Sequence, residues 1–204
     1  MSVYLSAALN RAEKRGITVS GNQLEWANAS ASLPSISIIR TSSDPTIRFA
    51  AQELKSHLAK MTGRAVVVRS SGKVGIRVGL MSDFEGVQPP AVADPGFDDA
   101  IHIDVSGGGG IIAGINPRSV LLAVYRYLTE LGCRWVRPGE AGAFVPHLDS
   151  LKRVKVSETP SYRHRGICIE GAVSEEHVTD IVDWAPKLGF NAYFIQFREA
   201  HTFF

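Results

Sequence analysis

The chain has 204 residues, of which 45% are apolar and 21% charged, and its formal net charge is +2. That mix excludes a mainly disordered chain, and the near-balance of charge argues against a nucleic-acid binder, which concentrates basic charge on one face. No run reaches the ~18 apolar residues of a membrane span. The opening MSVYLSAALNRAEKRG has no basic region ahead of its short apolar stretch and no clear cleavage site, so no signal peptide is expected and the cytoplasm is the expected location. The length suits one domain and part of another.

Residues 3–15 read as a helix with a weak apolar face. Ile17–Ser20 and Gln23–Ala27 read as a hairpin about Gly21-Asn22. Ser35–Arg40 alternates around Ile36 and Ile38 and predicts a strand. Asp44-Pro45 then opens a helix: Asp44 caps it, and Pro45 suits the first helical position, where its missing N–H is unpaired anyway. Ile47, Ala50, Ala51, Leu54, Leu58 and Met61 form its apolar stripe, and Gly63 stops it. Four short strands follow at Ala65–Arg69, Gly75–Leu80, Ala100–Val105 and Ile111–Ile115, with a Pro-, Asp- and Gly-rich loop between Met81 and Asp99. Asn116-Pro117 starts a second helix, which runs to Leu131 on the stripe Val120, Leu121, Val124, Leu128 and Leu131. Cys133–Pro146 reads as turns, and Lys152–Val156 as a last strand. This order is not a regular β-α alternation, so the predicted class is α+β: a sheet with two helices packed on one face.

Ser157-Glu158-Thr159-Pro160 is polar, broken by proline, and predicts a boundary. Beyond it, Tyr162–Glu170 is a strand, Ser174 caps a helix from Glu175 to Leu188, and Asn191–Phe197 is an apolar strand. Together they make one β-α-β unit with parallel strands. A parallel sheet is normally buried on both faces, so either a longer chain or another molecule is expected to cover this unit, and self-association through it is one outcome.

The run Gly107–Gly110 lacks a following helix, as a phosphate loop requires, and predicts a hairpin turn instead. The six histidines have no helical i, i+4 pair; neither a metal nor a cofactor is expected. Cys133 and Cys168 lie in apolar contexts and are expected to be buried free thiols of a reducing compartment. Arg163, Arg165 and Glu170 lie on the first strand of the β-α-β unit, and Gln196, Arg198 and Glu199 close the second. In a parallel barrel, functional groups sit at the C-terminal ends of strands, and carboxylates with Arg donors suit hydroxyl-rich ligands. A solvated rim, or internal ion pairs, is the other reading of the same residues.

Ala50-Ala51-Gln52-Glu53-Leu54 through Met61-Thr62-Gly63, then Ala123–Leu128, Leu131–Trp135 and Pro138-Gly139-Glu140, resembles the small domain that precedes the barrel in family 20 β-N-acetylhexosaminidases and family 67 α-glucuronidases. Pro160–Gly166 resembles the entry into their (β/α)8 barrel, and Gly189–Tyr193 its second strand. The ending Gln196–Ala200 is nearer to bacterial relatives with a divergent barrel. The resemblance implies that residues 1–157 are a non-catalytic α+β domain and 158–204 the start of a barrel. It also implies that the chain is the N-terminal part of a glycoside hydrolase acting on O-glycosyl bonds of a carbohydrate substrate. Arg165-Gly166 matches the family 20 Arg-Gly that binds sugar hydroxyls, and Glu170 stands where that family has Asp. Arg165, Glu170, Gln196 and Arg198 are the expected substrate-binding residues. No residue of this chain matches the catalytic Asp-Glu pair, so no catalytic residue is carried over. A non-catalytic carbohydrate-binding or interaction module is the alternative.

Overall fold

The computed structural model describes residues 34–170 and 174–196. The helix expected over 3–15, the hairpin at Ile17–Ala27, and Phe197, Arg198 and Glu199 lie outside the described residues.

Strand β1 (Ile36–Arg40) leads into helix α1 (Pro45–Thr62). The Asp44 carboxylate accepts from the Thr46 and Ile47 N–H groups at 2.8 and 3.2 Å, satisfying two otherwise orphaned donors. At the other end Gly63 takes φ 65° and its N–H bonds the Ala59 carbonyl, the left-handed stop that favours glycine. Losing the cap in Asp44→Ala is expected to cost about 1 kcal/mol, read as a lower urea midpoint with an unchanged m-value.

Strands β2 (Val66–Arg69), β3 (Ile76–Leu80), β4 (Ile101–Ser106), β5 (Gly109–Gly114) and β8 (Val154–Glu158) join β1 in one six-stranded sheet of order β2-β1-β3-β5-β4-β8. Helix α2 (Pro117–Glu130) follows β5. Strands β6 (Arg134–Trp135) and β7 (Ala143–Phe144) form a small antiparallel pair inside the stretch that the sequence reads only as turns. Two-residue strands are too short to show an alternation.

The ladder directions place the rest. Strand β1 is parallel to β2 and β3, and β3 to β5. Strand β4 is antiparallel to both β5 and β8. Only β4 therefore runs against the other five. Its N-terminal end meets the C-terminal ends of β5 and β8, with Ile101 opposite Gly114 on one side and Glu158 on the other. The hairpin that reverses the chain uses Gly107 and Gly108 at φ 58° and 85°, the two left-handed residues of a type I′ turn. The predicted hairpin stands.

Alternation sorts the sheet into two faces. Ile36, Ile38, Ile76, Val78, Ile103, Val105 and Ile112 join the buried stripes of α1 and α2 in one core. On the opposite face, Met81 and Phe84 of the 81–99 segment pack with Ala100 and Ala113, and the Arg77 guanidinium lies 5.3 Å from the Phe84 ring centroid. The class is α+β, with a mixed sheet and three α-helices among the described residues.

After β8 come β9 (Gly166–Glu170), α3 (Glu175–Trp184) and β10 (Ala192–Gln196). Ser174 caps α3 by accepting from the His177 N–H at 3.1 Å. The α ladder stops at Trp184, short of the predicted Leu188, and a 3-10 turn carries Ala185–Leu188 to Gly189. Pro186 has no N–H to continue an α-helix. Strands β9 and β10 pair in parallel, with Gly166 opposite Ala192 and Glu170 opposite Gln196. The described residues from Pro34 onward belong to one compact unit, so the described β-α-β unit is docked on the sheet.

One cysteine departs from expectation. Cys133 is buried, but Cys168 is exposed. Its apolar neighbours Ile167 and Ile169 misled the local reading; in a strand they point to the opposite face from Cys168.

Candidate functional site

Two places bring the predicted polar residues together. The first is the end of the sheet where the reversed strand β4 starts between the C-terminal ends of β5 and β8. Asp99 stands two residues before β4, where α2 begins and where β8 ends. Its side chain is only 2% exposed. One carboxylate oxygen accepts from Arg118 Nε at 3.0 Å and Ser119 Oγ at 2.8 Å. The other accepts from Arg165 Nη2 at 2.7 Å and Asn191 Nδ2 at 2.8 Å. Burial opposes the charge on Asp99, but hydrogen bonds from Arg165, Ser119 and Asn191 and the Arg118 charge outweigh it, holding the carboxyl below its ordinary value.

The neighbouring groups repeat the pattern. Arg163 grips Asp98 through Nε at 2.6 Å and Nη2 at 3.2 Å, a bidentate pair. The hydrogen bond from Arg163 lowers the Asp98 carboxyl. Arg165 also donates to the carbonyls of Gly189 at 2.8 Å and Tyr162 at 2.9 Å. Asn191 closes the circle: its Oδ1 accepts from the Arg165 N–H at 2.9 Å, and its Nδ2 donates to the Arg163 carbonyl at 2.8 Å. The Asn116 cap of α2 donates to the Pro95 and Asp98 carbonyls and so fixes the loop that carries both aspartates. A cavity of about 270 Å³ opens beside this cluster, lined by Arg126, Glu158, Ser161 and Arg165 among others.

The second place is the far end of the β-α-β unit. Glu170 and Gln196 end adjacent strands in register, about 4.8 Å apart along the hydrogen-bonding direction. Glu170 is exposed, and the Cys168 thiol lies 3.5 Å from its Oε1. Burial and the adjacent Glu170 push the Cys168 thiol up, away from the nucleophilic thiolate.

Of the four expected substrate-binding residues, the structure therefore brings Glu170 and Gln196 together. It places Arg165 at the opposite end of β9, where its guanidinium is engaged by Asp99 and backbone carbonyls. Arg198 lies outside the described residues. The internal ion-pair reading accounts for Arg163 and Arg165. Asp99 and Asn191 were missed by the sequence reading. A signal for Asn191 was its place after Gly189-Phe190; Asp99 had none, since its partners are 19 to 92 residues away. Among the described residues no group of three or more metal-ligating side chains converges, and no helix is long and apolar enough to cross a membrane.

Fold and site together define an α+β domain whose mixed sheet is bolted by a buried carboxylate to a parallel β-α-β unit. No protein-family model matches the chain, and no curated protein matches it.

Proposed function

We propose that residues 158–204 begin a (β/α)8 barrel and that the chain is the N-terminal portion of a glycoside hydrolase, hexosaminidase- or glucuronidase-like, acting on O-glycosyl bonds. The observation that carries this reading is the in-register pairing of Glu170 with Gln196 at the C-terminal ends of two parallel strands. That is where a barrel gathers its functional groups. The sorting of side chains along the pair supports the same reading. Ile169 is buried, and the Tyr193 hydroxyl donates to the Val182 carbonyl of α3 at 2.8 Å, so these residues face the helix. The alternate set climbs the other face from Gly166 and Ala192, through Cys168 and Phe194, to Glu170 and Gln196. Above the Cys168 thiol, the top layer of that face carries the carboxylate and the amide.

In this role Glu170 accepts hydrogen bonds from sugar hydroxyls while the Gln196 amide both donates and accepts. The acid pair that cleaves the bond belongs to later strands, and its spacing sets the stereochemical outcome. Arg165 acts in the fold rather than on the sugar.

A second reading is favoured by one observation, the full engagement of Arg165 inside the protein. With the residue that resembles the sugar-binding arginine occupied, the chain is instead a non-catalytic carbohydrate-binding or interaction module.

Titration of the chain with N-acetylglucosamine and with glucuronate, followed by amide chemical shifts, tests the proposal. The expected result is saturable shifts at residues 168–170 and 194–196, weakened about tenfold in Glu170→Gln. No turnover of aryl glycosides is expected from the 204-residue chain. Absence of shifts at the strand ends removes the rim reading, and turnover above a no-protein blank removes the division of labour.

A further inference from the structure

We infer that the cleft between α1, the β6–β7 turn and α3 is a binding site for a single neutral, hydroxyl-rich ring of sugar type. It is separate from the rim of the β-α-β unit and does not depend on the barrel reading. The cleft encloses about 410 Å³, within the range of small-molecule sites, and sits where sheet domain and β-α-β unit meet. Its wall includes Trp184 of α3, and its polar lining includes Glu53, His57 and Lys60 of α1, Glu140 of the turn and Asp180 of α3, beside the Asp183–Lys187 ion pair.

Several of these groups are braced from behind, which separates a site from a solvated groove. His57 Nδ1–H donates to the Glu53 carbonyl at 2.9 Å, and its ring stands edge-on to Trp135 with centroids 5.6 Å apart. With Nδ1 as the donor, Nε2 of the neutral ring is an acceptor. Glu53 Oε2 accepts from the buried Tyr125 hydroxyl at 2.9 Å, leaving Oε1 unpartnered among the described residues. Trp184 Nε1–H donates to the Trp135 carbonyl at 2.8 Å and fixes the indole plane. A Cβ on Gly139 would lie 2.9 Å from Asp180 Oδ2, so the glycine, at φ 81°, lets the turn close down on that carboxylate.

What remains for a ligand is a set of acceptors, namely His57 Nε2, Glu53 Oε1, Asp180 and Glu140, with Lys60 as a donor. Hydroxyl groups satisfy both kinds, since each donates and accepts. The apolar C–H face of a sugar ring suits the indole of Trp184, which holds contact area at little entropic cost. An anion is repelled by the carboxylates.

The test is intrinsic tryptophan fluorescence of the full chain titrated with glucose and with N-acetylglucosamine. The expected result is a saturable change in the millimolar range. It weakens about tenfold in Asp180→Asn/Glu140→Gln and is unaffected by Glu170→Gln. Circular dichroism checks the fold of the double variant; Lys60→Met, at an exposed position, is the second probe should that variant not fold. A response that is linear in both sugars overturns the site, as does a saturable one that the cleft variants leave unchanged. Loss in Glu170→Gln alone places the sugar at the rim and sinks this inference while sparing the function proposed above.

Discussion

Replacing Asp99 with alanine is expected to lower the unfolding free energy by about 3 kcal/mol. The cost arises on both sides of the lost carboxylate. Arg165 is only 20% exposed and keeps its charge with its carboxylate partner gone, and the fully buried Ser119 hydroxyl loses its shorter bond, at 2.8 Å, and keeps only Asn116 Oδ1 at 3.0 Å. Removing one member of a buried pair leaves the other uncompensated, which costs more than the pair itself contributes. The urea midpoint at neutral pH is the measurement, and a change of less than about 1 kcal/mol would mark the cluster as an ordinary surface pair. A double-mutant cycle with Arg165→Met is expected to fall short of additivity, because the two side chains share one interaction. The pH dependence carries the same signature. The Asp99 carboxyl is held below its ordinary value, so its stabilisation is complete above the unfolded value of about 4 and drains away as pH falls through the lowered folded one. The wild-type chain is therefore expected to lose stability in acid more steeply than Asp99→Ala.

The second large effect concerns a glycine that needs no unusual backbone angle. A Cβ on Gly114 would stand 2.3 Å from the Val120 backbone nitrogen and 2.4 Å from the Ser119 carbonyl carbon. Strand β5 and the first turn of α2 touch backbone to backbone there, and neither can swing aside as a side chain does. Gly114→Ala is expected to push α2 off the sheet and draw Ser119 away from Asp99, at about 3 kcal/mol. For a domain of this size that lowers Tm by roughly 6–12 °C. Gly166→Ala is the matched control: its Cβ would meet nothing nearer than 3.7 Å, and a change within about 1 kcal/mol is expected. Equal melting temperatures for the two variants would refute the close approach of β5 and α2.

The scaffold was legible wherever its signals are local. Asp44-Pro45 and Gly63 bound α1 as predicted, Asn116-Pro117 starts α2, and Gly107-Gly108 turns the hairpin. Caps and left-handed turns are written within four residues of where they act. Asp99 carried no such mark. In a stretch rich in Asp, Pro and Gly it resembles a solvated turn residue, and only the reversal of β4 brings Ser119, Arg165 and Asn191 to it. Arg165 shows the same limit from the other side, because chain position put it on a functional strand while its contacts tie it to the sheet. Glu170 and Gln196 were legible as a pair because strand alternation and parallel register follow from the β-α-β pattern alone.

The spacing of the Asp99 cluster also orders events during synthesis. Arg165 and Asn191 lie 66 and 92 residues downstream of the carboxylate to which they donate. At ordinary translation speeds the last of them trails by roughly 5–20 s. Before then the acid has only its nearer partners, Arg118 and Ser119, and one carboxylate oxygen must stay hydrated, so the nascent sheet's first fold is a looser one. Arg165 and then Asn191 complete the set of donors around that acid, which ties the last step of its burial to the ribosome's own pace.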